Sequence, residues 1–413
     1  MNGQPSDLTP RVVTLGTAGG PRWWTGENAG KRSGIATAVV VGGATCLVDA
    51  GHGVGQQMML AGLSVSSLRG IFVTHLHSDH TVDLGSLAIF GMFTFGPDQH
   101  TIHLVGPGDR GELPPVSPRA TVPPAPVPPA PVFPGNPTPG ITGMFHHLMA
   151  AYATDLNDRI LDSLRPSPFD YFVPRDITIP KEAGYSPNGN PAPSGMEPFE
   201  IYSDELVTVT ATLVEHPPTA PAFAFRFDTA AGSVTISGDT APCENLVRLA
   251  RGTDLLLHEA IDFDWVNRTY RSSADGTGRA SGDHHRESHT SAAEAVELAK
   301  RAGAKALALH HLVPGTTPLS VWQAAGEAFP GDYYVPDDLQ SIPFGQTTAT
   351  TRIIEEMVSS GWQWQPTQRA PPHAGPAGRT ASTPPPCGGS WPRASSAAPS
   401  NSMTLCCTQR PPA

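Results

Sequence analysis

The stretch VTHLHSDHTVDL, residues 73–84, places His75, His77, Asp79 and His80 within six positions of a chain that uses charged residues sparingly. The preceding run LRGIFV reads as a buried strand, so the cluster falls where that strand ends. Alternate residues of an extended chain point the same way, which lets His75 and His77 reach one metal ion together. Asp79 and His80 follow after the chain turns and can face a second ion close to the first. Scattered surface histidines rarely reach such density. The run is half of a metal centre.

The other half is expected at strand ends, because inner strands carry distant segments to one edge. Three positions fit. His216 closes the apolar run TATLVEH, Asp239 follows a strand in ISGDT, and His311 closes KALALHHL, with His310 as its neighbour and rival. Each is weak alone, since a strand-end histidine more often packs or faces solvent. Their conjunction with the first cluster carries the weight.

The elements that must position these residues alternate along the chain. Short apolar runs around Gly42-Gly43 and around Ala231-Gly232 read as hairpins. A helix is expected over 54–63, and later helices in CENLVRLARG and SAAEAVELAKRAG alternate with the strands TDLLLHEA and KALALHHL. Between the last two lies a loop rich in Gly, Ser and His. This pattern predicts an α/β fold with two sheets packed face to face and helices outside. Residues 107–200 are proline-rich at both ends and read as one insertion, with a helix over 144–164 that could cap a pocket. His146 and His147 lie inside it and suit solvent or packing. Residues 366–413, dominated by Pro, Ala, Ser and Gly, lack any periodic apolar face and are expected to be disordered.

Bulk properties bound the function. Of 413 residues, 26 are Lys or Arg and 37 are Asp or Glu, a formal net charge of −11. That balance argues against a dedicated nucleic-acid surface. Five cysteines, three of them in the last 27 residues, make buried thiols at Cys46 and Cys243 more natural than a disulfide framework. The N-terminus has no signal-peptide pattern and no run is long enough to span a bilayer, so a cytoplasmic location is expected.

The ordered set LGTAGG, LVDAGHG, THLHSDH, Glu215-His216, SGDT, HEA (258–260), HTSAAEA (289–295) and LHHL resembles the metallo-β-lactamase superfamily, in the branch of ribonuclease Z and the zinc arylsulfatases. It covers roughly residues 11–345. The resemblance implies a four-layer αββα sandwich with residues 107–200 as an inserted capping segment. It implies two zinc ions, with manganese or iron as substitutes. His75, His77 and His216 would hold one ion, and Asp79, His80 and His311 the other, with Asp239 bridging. His311 is preferred to His310 because the family pattern places the ligand just before the apolar residue and proline of HLVP. His289 matches a catalytic histidine supported by Glu259, and Asp79 would steer a metal-bridging hydroxide. Asp49 suits an outer supporting role or a purely structural hydrogen bond, and His284 and His285 match no motif and read as solvated or substrate-rim residues.

For the substrate, the family's tRNA-binding arm lies between the third zinc histidine and the bridging aspartate. Here His216 and Asp239 are only 23 positions apart. Together with the acidic charge, that spacing leads to an arylsulfatase-like hydrolase of a small sulfate or phosphate ester, and it argues against nucleic acid as a partner without excluding a local basic patch; a homodimer is compatible. The competing readings are a ribonuclease Z-type tRNA 3′ endonuclease, a lactone or thioester hydrolase, and a metal-binding non-enzyme.

Overall fold

The computed structural model describes residues 9–96, 99–121, 130–270 and 276–345. The expected disordered tail at 366–413, with Cys387, Cys406 and Cys407, lies outside the described residues.

Two seven-stranded sheets form the centre. The first holds β1 (Arg11–Gly16), β2 (Ala36–Val41), β3 (Ala44–Val48), β4 (Leu68–Phe72), β5 (Ile102–Gly106) and β6 (Phe172–Asp176). The second holds β7 (Phe199–Ser203), β8 (Val207–Leu213), β9 (Phe223–Thr229), β10 (Ser233–Ile236), β11 (Leu255–Ile261), β12 (Ala306–Val313) and β13 (Asp332–Tyr334). The last strand, β14 (Gln340–Pro343), returns to pair antiparallel with β1. Both expected hairpins are present. β2 pairs with β3 across Gly42 and Gly43, whose positive φ angles of 57° and 86° suit a tight two-residue turn, and β9 pairs with β10.

The sheets meet on a core to which β4 contributes Phe72 and the opposite sheet Phe223, Phe225, Phe227, Ile236 and Leu257. Phe72 is fully buried and meets Phe225 and Phe227 edge to face. Truncating it to Ala would cost roughly 3–5 kcal/mol. On the outer face of the first sheet pack Met58, Leu87 and Phe145 from the helices Val54–Leu60, Leu84–Gly91 and Ile141–Ala151. On the outer face of the second pack Leu246, Val296 and Ala299 from Glu244–Leu249 and Ala292–Ala302. The arrangement is the αββα sandwich. Cys46 and Cys243 are buried free thiols.

Two expectations change. The single helix over 144–164 is two helices, Ile141–Ala151 and Ala153–Leu161, broken at Tyr152. The first packs on the outer layer through Ile141, Phe145 and Met149, while β6 of the same interval extends the first sheet. The interval reaches the metal-capable cluster through Pro115–Arg119 and Pro187–Pro191 instead, which line a cavity beside His77. The Gly/Ser/His loop also folds, as Phe263–Tyr270 and Gly276–Ser288. Its sequence has no helical apolar stripe, since only Gly282 and Ser288 of the second helix are buried. Tertiary contacts hold it, among them the 2.8 Å ion pair from Arg119 to Asp283.

Candidate metal centre

Strand ends bring the metal-capable residues together. The chain leaves β4 through Thr74, His75 and His77 and turns into the short helix Ser78–Thr81, which carries Asp79 and His80. His216 follows β8 and Asp239 follows β10. Gly238 makes the β10 turn possible: its φ is +60°, and a Cβ there would stand 2.6 Å from the Phe223 carbonyl oxygen.

His311 lies within β12, where the pairing with β11 shifts register between Glu259 and Ala260. The shift leaves His311 opposite no partner, with φ of +45°. A β-bulge of this kind turns the extra residue out of the ladder. His311 therefore faces Asp79 and Asp239, while His310 stays buried with both ring nitrogens lacking hydrogen bonds.

The donors fall into two groups that share one residue. His75, His77, His216 and Asp239 form the first, and Asp79, His80, His311 and Asp239 the second, with ligand atoms in each group within 4.8 Å of one another. The carboxylate of Asp239 divides its oxygens between them. Oδ2 stands 3.9 Å from His75 Nε2 and 4.0 Å from His216 Nε2, whereas Oδ1 stands 3.4 Å from His80 Nε2 and 3.2 Å from His311 Nε2. Two donors on one tetrahedral ion with bonds near 2 Å are about 3.3 Å apart, so most of these separations suit ligation with small adjustments.

The fit extends to unmet hydrogen bonding. His75 Nε2, His80 Nε2 and Asp239 Oδ1 are buried without a hydrogen-bond partner. Buried polar atoms seldom stay so, and one cation in each donor group would satisfy all three. The opposite ring nitrogens are held. His80 Nδ1 donates to Asp49 at 2.8 Å and His216 Nδ1 to the Ser288 carbonyl at 2.9 Å. Asp49, at φ +61°, also accepts from the Thr74 amide, so it is both a structural anchor and an orienting partner.

Charge follows this geometry. Burial, aided by His80 and His77, holds His75 well below the usual histidine range. Burial does the same to His216 and pushes His77 down to about 4. Neutral imidazole is the form that binds a cation. Burial also opposes charge on His80, but Asp239, Asp49 and Asp79 outweigh it and hold that ring well above its usual range. Asp79 and Asp239, although buried, are kept ionised by His80 and His311.

His289 Nδ1 meets Glu259 at 3.0 and 3.1 Å, and the Thr240 amide donates to the same carboxylate. Burial disfavours the imidazolium, yet Glu259, then Asp239 and Asp79, push His289 up to about 9. His146 and His147 lie away from this region, against Phe169 and Phe133. Three neighbours were not singled out from the sequence. The Gly20 amide donates to Asp79 at 2.9 Å, Thr219 Oγ1 meets His77 Nε2 at 2.7 Å, and Arg22 lines the cavity over the centre. The glycines of LGTAGG hinted only at the first.

Residues 30–311 match the metallo-beta-lactamase superfamily. Ribonuclease Z of Mycobacterium sp. (strain KMS) is 30% identical over 320 residues, covering 76% of this chain and 90% of the relative. Ribonuclease Z of Mycobacterium bovis (strain BCG / Pasteur 1173P2) is 27% identical over 315 residues, covering 75% and 92%. In structure, the short form of human tRNase Z aligns over 81% of this chain and all of its own, at 19% identity and a TM-score of 0.52.

These relatives overturn two expectations, the arylsulfatase-like hydrolase of small esters and the argument against a nucleic-acid partner. The physical faults are plain. Net charge is a sum over the chain, whereas phosphate recognition is local, and Arg22, Arg32, Arg110 and Arg119 all line cavities around the centre. The short interval between His216 and Asp239 gives way, as an argument, to ribonuclease Z relatives matched over nine-tenths of their own length. No described helix is long and apolar enough to cross a membrane. His and Asp clusters suited to a pair of metal ions, on this sandwich, mark a metal-dependent hydrolase of ester bonds, and the chain belongs to the metallo-beta-lactamase superfamily.

Proposed function

We propose that the chain is a ribonuclease Z-type endonuclease that cuts precursor tRNA at its 3′ end, in the cytoplasm. The observation that carries this reading is Asp239, whose two oxygens face two separate donor groups, in a chain aligned with ribonuclease Z over nine-tenths of that relative. Residues 11–345 would form the hydrolase domain.

His75, His77 and His216 would hold one ion and Asp79, His80 and His311 the other, bridged by Asp239. Imidazole and carboxylate donors in this number suit zinc. Such a pair supplies Lewis-acid charge for a phosphoryl oxygen and an ionised water near neutral pH. The protein's own groups do the rest. Asp79, fixed by the Gly20 amide, orients the attacking oxygen from the side of the second group. His289, kept protonated by Glu259, gives its Nε2 proton to the departing 3′ oxygen.

Flanking cavities would receive the RNA. One is lined by Trp23, Trp24, His52, Arg22 and Arg32, an aromatic and basic surface suited to bases and phosphates. The other carries Arg110 and Arg119. The test is cleavage of a precursor tRNA bearing a 3′ trailer by zinc-loaded protein, with product ends mapped. Cutting at the junction with the trailer supports the reading. Turnover of small diesters with no site-specific RNA cleavage would overturn it.

A further inference from the structure

His284 and His285 belong to none of the matched motifs, yet they stand against the acid His289. They lie near the C-terminal end of the helix Gly276–Ser288, His285 in its last turn, and His289 follows that helix. One nitrogen from each of the three rings lies within 4.8 Å of the others. Ring centroids are 5.6 Å apart for His284 and His285, 5.8 Å for His284 and His289, and 5.7 Å for His285 and His289. Drawing the donors to the ~3.3 Å of ligands on one tetrahedral ion takes a modest swing of the rings. His284 and His285 are only partly buried, which leaves them room to move.

Each ring also has one nitrogen fixed by an outer partner. His289 Nδ1 is held by Glu259, His284 Nδ1 meets Ser288 Oγ at 3.1 Å, and His285 Nε2 meets the Tyr270 hydroxyl at 3.4 Å. The other nitrogen of His285, Nδ1, is buried with no hydrogen-bond partner. Metal-binding histidines are built this way, with one nitrogen anchored and the other offered to the ion.

We propose that His284, His285 and His289 form a third metal site, for a transition-metal ion that favours imidazole, such as Zn²⁺. The site has no carboxylate ligand, and Arg22 donates to Tyr270 at 2.6 Å beside it. It is therefore weaker than the two groups that share Asp239, and it fills after them. Its occupancy would displace the Nε2 proton of His289 to solvent and engage the lone pair so freed, so that nitrogen no longer carries a proton for a leaving oxygen. The third ion is inhibitory. This last consequence rests on the role given to His289 above; the site itself does not.

The test uses the full chain, stripped with chelator and then titrated with Zn²⁺ by equilibrium dialysis and elemental analysis. Hydrolysis of bis(p-nitrophenyl) phosphate is followed over the same range. Wild type is expected to bind two ions tightly and a third more weakly, with hydrolysis falling as the third enters. His285→Gln and His284→Gln should each lose the third step while keeping two ions and a native circular dichroism spectrum. Wild type saturating at two ions, or a third step persisting in both variants, would overturn the site. A third ion bound with hydrolysis undiminished would overturn its inhibitory role. Because the step is read by metal content, it does not depend on which ester the chain hydrolyses.

Discussion

Asp49 accepts a hydrogen bond from His80 Nδ1 at 2.8 Å, from a position at the end of β3 with φ of +61°. The pair fixes the His80 ring so that Nε2 faces Asp79 and Asp239. Orienting partners of this kind set metal affinity by roughly 10–100-fold. Asp49→Ala should therefore weaken one of the two tight ions by about that factor. A chelator-competition titration reads the change, and equal affinities in variant and wild type would show that the hydrogen bond only braces the loop.

Gly19 should matter to the second donor group. A Cβ at this position would stand 2.2 Å from His311 Cε1. Gly19→Ala must push the ring away from Asp79 and Asp239, and bound metal should fall from two ions toward one. Elemental analysis after dialysis decides it. Full retention of both ions would mean that the loop yields instead of the ring.

Metal binding should release protons. In the metal-free chain His80 is held well above its usual 6.5 by surrounding carboxylates, against the effect of burial. Its charge then stabilises the fold fully below about pH 6.5, and that contribution is lost as pH rises through the higher folded value. A cation must displace this proton near neutrality, so affinity should weaken on acidification. Calorimetry in buffers of different ionisation enthalpy measures the release. A binding enthalpy independent of buffer would contradict it.

His289→Gln should lower kcat by roughly 10²–10⁴-fold while both tight ions stay bound. Glu259→Gln makes a sharper test. Glu259 is the foremost of the groups that raise His289 to about 9. An acid works while protonated, so the rate falls as pH rises through its pKa. Removing the carboxylate charge should move that alkaline limb to lower pH. An unmoved limb would assign the proton to another group.

Trp23 is 87% exposed at the rim of the arginine-lined cavity. If RNA enters there, Trp23→Ala should remove one stacked base, worth about 1–3 kcal/mol. KM for precursor tRNA should rise accordingly, and KM for a small diester should stay constant. Equal changes on both substrates would indicate a local packing defect.

The clustering of metal-capable residues was largely legible in the sequence. His75, His77, Asp79 and His80 are close because the chain makes them close, and hydrophobic alternation marks the strands that deliver His216 and Asp239. The hairpin at Gly42-Gly43 needs only its own residues, as does the helix Ala292–Ala302 with its Ser291–Glu294 capping box. Where partners are distant, the tertiary structure decided. Consecutive His310 and His311 cannot be ranked by strand periodicity, because the bulge against Glu259 and Ala260 sets which ring faces Asp79 and Asp239. The helix Gly276–Ser288 has no apolar stripe and depends on contacts such as Arg119 to Asp283. His284 and His285 meet His289 only once that helix forms. Asp49 reaches His80 across 31 positions because β3 and β4 run side by side. Chain-wide charge was the least informative quantity, since a sum over 413 residues says nothing of where the arginines stand. Spacing along a chain records what neighbouring residues can share, and a site assembled across two sheets is set by register and packing.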